Sequence, residues 1–188
     1  YDMNFIRKFV DNGIMLVLFN RTELVPDIAQ NAKNGQLYKA YPNGDFGAIA
    51  AWAWGYSRCV DALEKIGYAD MKCITFTGHS RGAKTAILAG AVDERAAIVN
   101  PNETCAGGCG CYRLHISAIT EHGKEKNSET LKDIVGAFPF WFGSKLSQYA
   151  DREEELPFDS HYLKALIAPR VLFDGQAASD IWANPVGA

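Results

Sequence analysis

The stretch Ile74-Thr75-Phe76-Thr77-Gly78-His79-Ser80-Arg81-Gly82-Ala83-Lys84 alternates β-branched and aromatic residues, passes through a Gly-x-Ser-x-Gly turn and enters the Ala-rich run 85–91. Alternation predicts a strand and the alanines predict a helix. A strand that hands directly to a helix belongs to a sheet with crossover connections, and a serine at the apex of the turn is held out toward solvent. Gly78 and Gly82 fit a turn whose crowding excludes Cβ atoms. The plain alternative is an ordinary strand, turn and helix with an idle serine.

Elsewhere the chain alternates in the same way. Phe5, Ile6, Phe9 and Val10 recur at helical spacing, Asn12-Gly13 closes that element, and a strand is expected over 14–19. A long helical pattern runs from about Phe46 to Ile66 and stops at Gly67, ahead of a strand over 72–77. After the serine helix come a short strand over 96–99, amphipathic pieces at 128–137 and 159–168, and a strand over 170–173 introduced by Pro169. Strands alternating with helices predict an α/β fold, a mostly parallel sheet with helices on both faces. The acidic run 151–155 reads as a solvated loop.

With 188 residues, 48% hydrophobic and 22% charged, the chain can bury a sizeable core as a single domain. A net charge of −3 supplies no basic patch for nucleic acid. No run approaches the roughly 18 apolar residues of a membrane span, so no membrane partner is expected. The five cysteines are an odd number. Cys105, Cys109 and Cys111 lack the paired spacing of a zinc site, so the expectation is a Gly-rich loop with buried thiols or one local disulfide, without metal or cofactor.

In a parallel sheet, ligands collect beyond the carboxyl ends of the strands. Ser80, the loop Asn100-Pro101-Asn102-Glu103 and the loop 175–180 all fall there. A serine hydroxyl attacks only when an imidazole takes its proton and a carboxylate orients that imidazole. Glu103 and Asp180 are the carboxylates so placed, and a serine hydrolase is the leading reading. The histidine is harder to find. His79 is fixed in the turn and should point away; His115 and His122 lie in a polar connection. His161 begins a helix returning to the next parallel strand and could reach the site; otherwise the base lies beyond Ala188.

Gly78-His79-Ser80-Arg81-Gly82-Ala83-Lys84, Pro101-Asn102-Glu103-Thr104-Cys105-Ala106-Gly107-Gly108, Phe138-Pro139-Phe140-Trp141-Phe142, Ala165-Leu166-Ile167-Ala168-Pro169-Arg170 and Asp180-Ile181-Trp182-Ala183-Asn184-Pro185 together resemble the glucuronoyl esterases. The resemblance implies an α/β-hydrolase fold, with 1–188 a partial catalytic domain incomplete at both ends. It implies cleavage of esters between glucuronic acid on xylan and lignin alcohols, outside the cell or in the periplasm. It makes Ser80 the nucleophile, Glu103 the acid, Arg81 an oxyanion stabiliser and Lys84 a sugar-hydroxyl ligand one helical turn beyond the serine. Trp182 would bind the sugar, with Trp141 a further sugar contact, and Asp180 matches an acid that some bacterial members carry. Ala83 stands where the family usually has glycine, and His79 where fungal members often have cysteine. The family's histidine lies after the Asp-x-Trp motif. Other readings are an acetyl xylan esterase using Ser80 and Asp180, or a carbohydrate-binding relative without turnover.

Overall fold

The structure is a computed structural model that describes residues 3–188. In chain order its elements are α1 (Met3–Val10), α2 (Arg21–Leu24), α3 (Gln36–Ala40), α4 (Ala48–Ile66), β1 (Thr75–His79), α5 (Arg81–Val92), β2 (Ile98–Asn102), β3 (Ser117–Ile119), β4 (Glu125–Asn127), α6 (Leu131–Ala137), α7 (His161–Ile167) and β5 (Val171–Leu172). Short 3₁₀ turns fill several connections, among them Ile181–Ala183. The long helical pattern becomes α4, which stops where Gly67 takes a left-handed φ of 78° that most side chains resist. Its first N–H groups donate to carbonyls of another motif, Ala48 N–H to Phe140 O at 2.9 Å and Ile49 N–H to Trp141 O at 3.1 Å. The Phe138–Phe142 segment therefore caps α4. Helix α6 begins with a capping box in which the Thr130 and Asp133 side chains each serve the other's backbone N–H.

Strands β1, β2 and β5 form a parallel sheet in the order β1-β2-β5, with Phe76 beside Val99 and Val99 beside Leu172. These residues share one face. Against it pack Val60 from α4, Ala86 and Ile87 from α5 and Ile167 from α7, all buried. The opposite face, carrying Thr75, Thr77 and Val171, is exposed. A second core gathers Val25, Trp52, Leu131, Ile134 and Trp141, and joins the amino-terminal helices to α6.

The expected strand over 14–19 forms no ladder. A strand needs a neighbour about 4.8 Å away to accept its hydrogen bonds, and β1 pairs only with β2. Between this run and the free edge of β1 lies an apolar cavity of about 460 Å³, lined among others by Ile14, Leu16, Val60, Thr75 and Thr77. The polar connection around His115 and His122 holds an unexpected antiparallel hairpin, β3 with β4, turning at Gly123 (φ +71°). Its strands are short and mostly exposed, so no apolar alternation announces them.

Arg95 ties the end of α5 to α4. Its guanidinium donates to Asp93 at 2.7 and 2.9 Å, to Asp61 at 2.8 Å and to Glu64 at 3.2 Å. The Arg95 hydrogen bonds pull the Asp93 carboxyl down from 3.8 to about 2, against the opposing effect of burial. A depressed folded-state value stabilises the fold above the unfolded value and loses that contribution as pH falls through the folded one. Asp93→Asn should therefore cost on the order of 1–2 kcal/mol near neutral pH, allowing for solvent screening. The variant should also lose less stability than the parent between about pH 4 and pH 2. Urea denaturation across that range checks both; parallel curves for the two proteins would remove the ion pair from the acid response.

Candidate functional site

Three loops meet beyond the carboxyl ends of the parallel strands, and backbone hydrogen bonds fasten them together. The pairing of β2 with β5 resumes as a bridge between Asn102 and Gly175. Ser80 N–H donates to Asn102 O at 2.9 Å, and Glu103 N–H donates to Gly175 O at 2.9 Å. Ser80 has φ 54° and ψ −121°, a conformation that costs a residue with a side chain roughly 1–3 kcal/mol and persists only where its surroundings enforce it. Enforcement comes from its own N–H bond and from Ala83 and Lys84, whose N–H groups donate to Ser80 O at 2.9 and 3.0 Å. The result is an exposed serine at the start of α5. A Cβ on Gly78 would lie 2.3 Å from Gly82 O, whereas one on Gly82 would meet nothing within 4 Å. The turn therefore needs glycine at 78, and the expectation of crowding at Gly82 is corrected.

Glu103 also has a left-handed φ, 54°, which swings its side chain across the bridge to the 175–180 loop. Its Oε1 accepts the Ala177 N–H at 2.6 Å. Its Oε2 is buried and has no hydrogen-bond partner. Asp180 joins the same loop through its N–H, which donates to Ala177 O at 3.0 Å. Its carboxylate lies 3.7 Å from the Lys126 ammonium and is 39% exposed. Both acids thus stand on one hydrogen-bonded network, Glu103 with one buried oxygen against it and Asp180 toward solvent.

Among the described residues no histidine hydrogen-bonds Ser80, Glu103 or Asp180. His161 is exposed on the first turn of α7, with its ring 4.8 Å from that of Tyr162. The preceding Asp159 and Ser160 anchor that turn elsewhere: Asp159 accepts from Tyr112 N–H at 2.8 Å and from Arg113 at 3.0 Å, and the Ser160 hydroxyl donates to Gly110 O at 2.6 Å. The reading of His161 as the base is corrected on that ground.

Lys84 points inward from the second turn of α5 and is 3% exposed. An ammonium has three donors, and here they go to Thr104 O, to Ala106 O at 2.6 Å and to Glu129 Oε2 at 3.0 Å. The residue following Glu103 is therefore pinned by a cation from beneath. In this arrangement Lys84 anchors the backbone that follows Glu103, and a sugar hydroxyl would reach it by replacing one of these acceptors. Burial raises the Glu129 carboxyl, and the Lys84 charge and hydrogen bond only partly offset it. Glu129 also donates its N–H to Trp182 O at 3.1 Å, and the Cys105 thiol donates to the same carbonyl at 2.9 Å. Trp182 itself is 43% exposed, on the wall of a polar groove of about 700 Å³ that includes Ser117, Lys126, Thr130 and Lys132.

Trp141 is 2% exposed, so its reading as a sugar contact is corrected. Its indole N–H donates to Asp27 Oδ1 at 3.0 Å, and Asp27 Oδ2 accepts from Arg81 at 2.8 Å and Arg21 at 2.9 Å. Burial pushes the Asp27 carboxyl up, but the hydrogen bonds from Arg81, Arg21 and Trp141 together outweigh it and hold the group below its ordinary value. Neither Asp27 nor Glu129 stands out in the sequence. Asp27 lies in an irregular stretch remote from Ser80, and Glu129 is one acid beside a helix cap; only the fold brings them to α5.

All five cysteines are free thiols, with Cys105 and Cys109 buried, as in the disulfide-free alternative for the Gly-rich loop. No group of three or more His, Cys, Asp or Glu among the described residues is placed to hold a metal, and no described helix is long and apolar enough to cross a membrane.

Residues 2–188 match the family model described as glucuronyl esterase, fungi. A 4-O-methyl-glucuronoyl methylesterase of Hypocrea jecorina is 38% identical over 167 residues, which is 86% of this chain and 35% of that protein. A carbohydrate esterase from an unknown prokaryotic organism is 36% identical over 180 residues, 96% of this chain and 36% of its own length. The chain thus spans about a third of the curated relatives it matches. Among solved structures, a family 15 glucuronoyl esterase from Caldicellulosiruptor kristjansonii superposes with a TM-score of 0.86 at 34% identity, covering 97% of this chain and 50% of that one. A Sporotrichum thermophile glucuronoyl esterase, solved as a mutant in complex with methyl 4-O-methyl-β-D-glucopyranuronate, superposes with a TM-score of 0.75 at 31% identity, covering 90% of this chain and 46% of that one. The parallel sheet with its strained serine turn is thus an α/β-hydrolase architecture, and the chain belongs to the glucuronoyl esterase family.

Proposed function

We propose that the full-length protein is a serine carboxylic ester hydrolase that cleaves 4-O-methyl-glucuronoyl esters between xylan and lignin alcohols, with residues 1–188 forming the nucleophile-bearing part of its catalytic domain. The observation that carries this reading is the Glu103 carboxylate. It is fastened to the Ser80 turn through Asn102, and it keeps one buried oxygen without a donor. A buried acceptor left unpaired costs free energy, and the group that a serine triad brings to such an oxygen is an imidazole N–H. We assign that imidazole to a histidine outside residues 3–188.

In this mechanism Ser80 Oγ attacks the ester carbonyl as the imidazole takes its proton. The tetrahedral oxyanion is met by the backbone N–H of Arg81, at the first position of α5, and by the Arg81 guanidinium. Collapse breaks the bond to the alcohol, which leaves with the proton from the imidazole. Water then opens the acyl-enzyme by the reverse proton path and frees the uronic acid. Asp180 is the second acid in reach of the same loop. The exposed Trp182 indole supplies a flat surface for the sugar ring. A cell-wall substrate places the protein outside the cell or in the periplasm.

The test is a comparison of kcat/KM for benzyl glucuronate and for acetylated xylan in one preparation. Preference for the uronate ester, reduced by Trp182→Ala more than acetyl hydrolysis is, supports the assignment. A preference for acetyl esters would move it to an acetyl xylan esterase. Absence of turnover on either, with sugar binding retained, would indicate a binding protein.

A further inference from the structure

We propose that Asp27 is a positioning residue for Arg81: it fixes the guanidinium beside Ser80, while Arg21 neutralises the carboxylate so that Arg81 retains its own charge. The proposal rests on the esterase reading of Ser80. Arg81 follows the serine directly as the first residue of α5, and an arginine in that place, 38% exposed, would otherwise sample many rotamers. Here one of its five donors goes to Asp27. The guanidinium carbon also lies 4.8 Å from the Trp141 ring and 5.2 Å from that of Phe138, two rings stacked at 3.8 Å.

The support beneath the arginine is tied to the same carboxylate. Trp141 donates its indole N–H to the other oxygen of Asp27, so Asp27 grips both the guanidinium and the ring it rests on. Trp141 packs edge-on against Trp52 at 6.3 Å. Trp52 is anchored by its indole N–H to Val25 O at 2.8 Å and carries Arg21 at 4.8 Å over its ring. Asp27 is thus the hub of two cations on two buried indoles. Two guanidinium charges against one carboxylate leave a net positive charge on a cluster that includes the residue directly after the serine, and positive charge is what a developing oxyanion requires. A simple ion pair between Asp27 and Arg81 would have cancelled it.

The experiment is a double-mutant cycle in the full-length protein, with Ser80→Ala as reference and melting curves as a check on folding. Asp27→Asn keeps the shape of the side chain and should lower kcat on benzyl glucuronate roughly tenfold to a hundredfold, with KM within about threefold, as expected for a misplaced catalytic group. In an Arg81→Met background the same change should have almost no further effect, because Asp27 then has nothing to position. Arg21→Gln, which leaves the carboxylate to Arg81 alone, should lower kcat a few-fold without raising KM. Equal losses from Asp27→Asn in both backgrounds, or an effect on KM alone, overturn the positioning role. Unchanged turnover in Ser80→Ala overturns the esterase reading itself, and the two failures are told apart by that control.

Discussion

Ser80→Ala in the full-length protein is expected to reduce hydrolysis of benzyl glucuronate by on the order of 10⁴-fold or more. Removing the hydroxyl removes the covalent step, and only binding and oxyanion stabilisation remain to accelerate direct attack by water. The strained backbone at φ 54° belongs to the turn and not to the hydroxyl, so the variant should melt within a degree or two of the parent. KM should change little, because Oγ contributes to bond formation more than to ground-state binding. Steady-state kinetics with a burst-phase measurement check this: the parent releases alcohol in a burst if deacylation is slow, and the variant shows none. A variant that turns over at near the parental rate would remove Ser80 from the reaction.

The second large effect concerns the two acids. Glu103→Gln should lower kcat by roughly 10²- to 10⁴-fold, since an amide can no longer stabilise an imidazolium and presents the wrong partner to its tautomer. Asp180→Asn should have a much smaller effect, because its carboxylate is 39% exposed and already faces Lys126. If the two share the role, each single change is modest and the double change severe, a non-additivity that kinetics of the three variants would show. Indifference to all three substitutions would take both residues out of the mechanism. The geometry favours Glu103, whose remaining oxygen is buried and unpaired.

The serine turn, its flanking strand and helix, and the placement of both acids beyond the strand ends were legible because each sits next to a strong local signal. Gly78, the β-branched run before it and the alanines after it leave few alternatives for the backbone. Glu103 and Asp180 follow strand-like segments in the chain, and the rule that ligands gather beyond strand carboxyl ends located them. The histidine was not legible, since proximity in the fold decides which imidazole meets the serine, and none of the described ones does. Lys84 is placed by its spacing one helical turn beyond Ser80, and its surroundings lie outside what that spacing can tell. Spacing gives direction along α5 but cannot show that two carbonyls and Glu129 wait beneath it. Trp141 was misread for a related reason: tryptophan is used both to bury and to bind, and only its burial against Asp27 and Phe138 separates the two. The run 14–19 has the composition of a strand, but a ladder needs a neighbour at hydrogen-bonding distance, and composition carries no information about that.

The parallel sheet ends on β1 at one side and on β5 at the other, with Val171 56% and Phe173 63% exposed beside the latter. Residues 3–188 produced by themselves would present these as two unlike free edges, a heterologous pair of surfaces. One molecule can offer its β5 side to the β1 side of the next, and nothing in that contact closes on itself. Self-association of the isolated stretch by this route would grow as chains of molecules and not stop at a dimer. Charge or proline placed on the free side of β1 would oppose such growth and leave the serine turn at the far end of the strand in place.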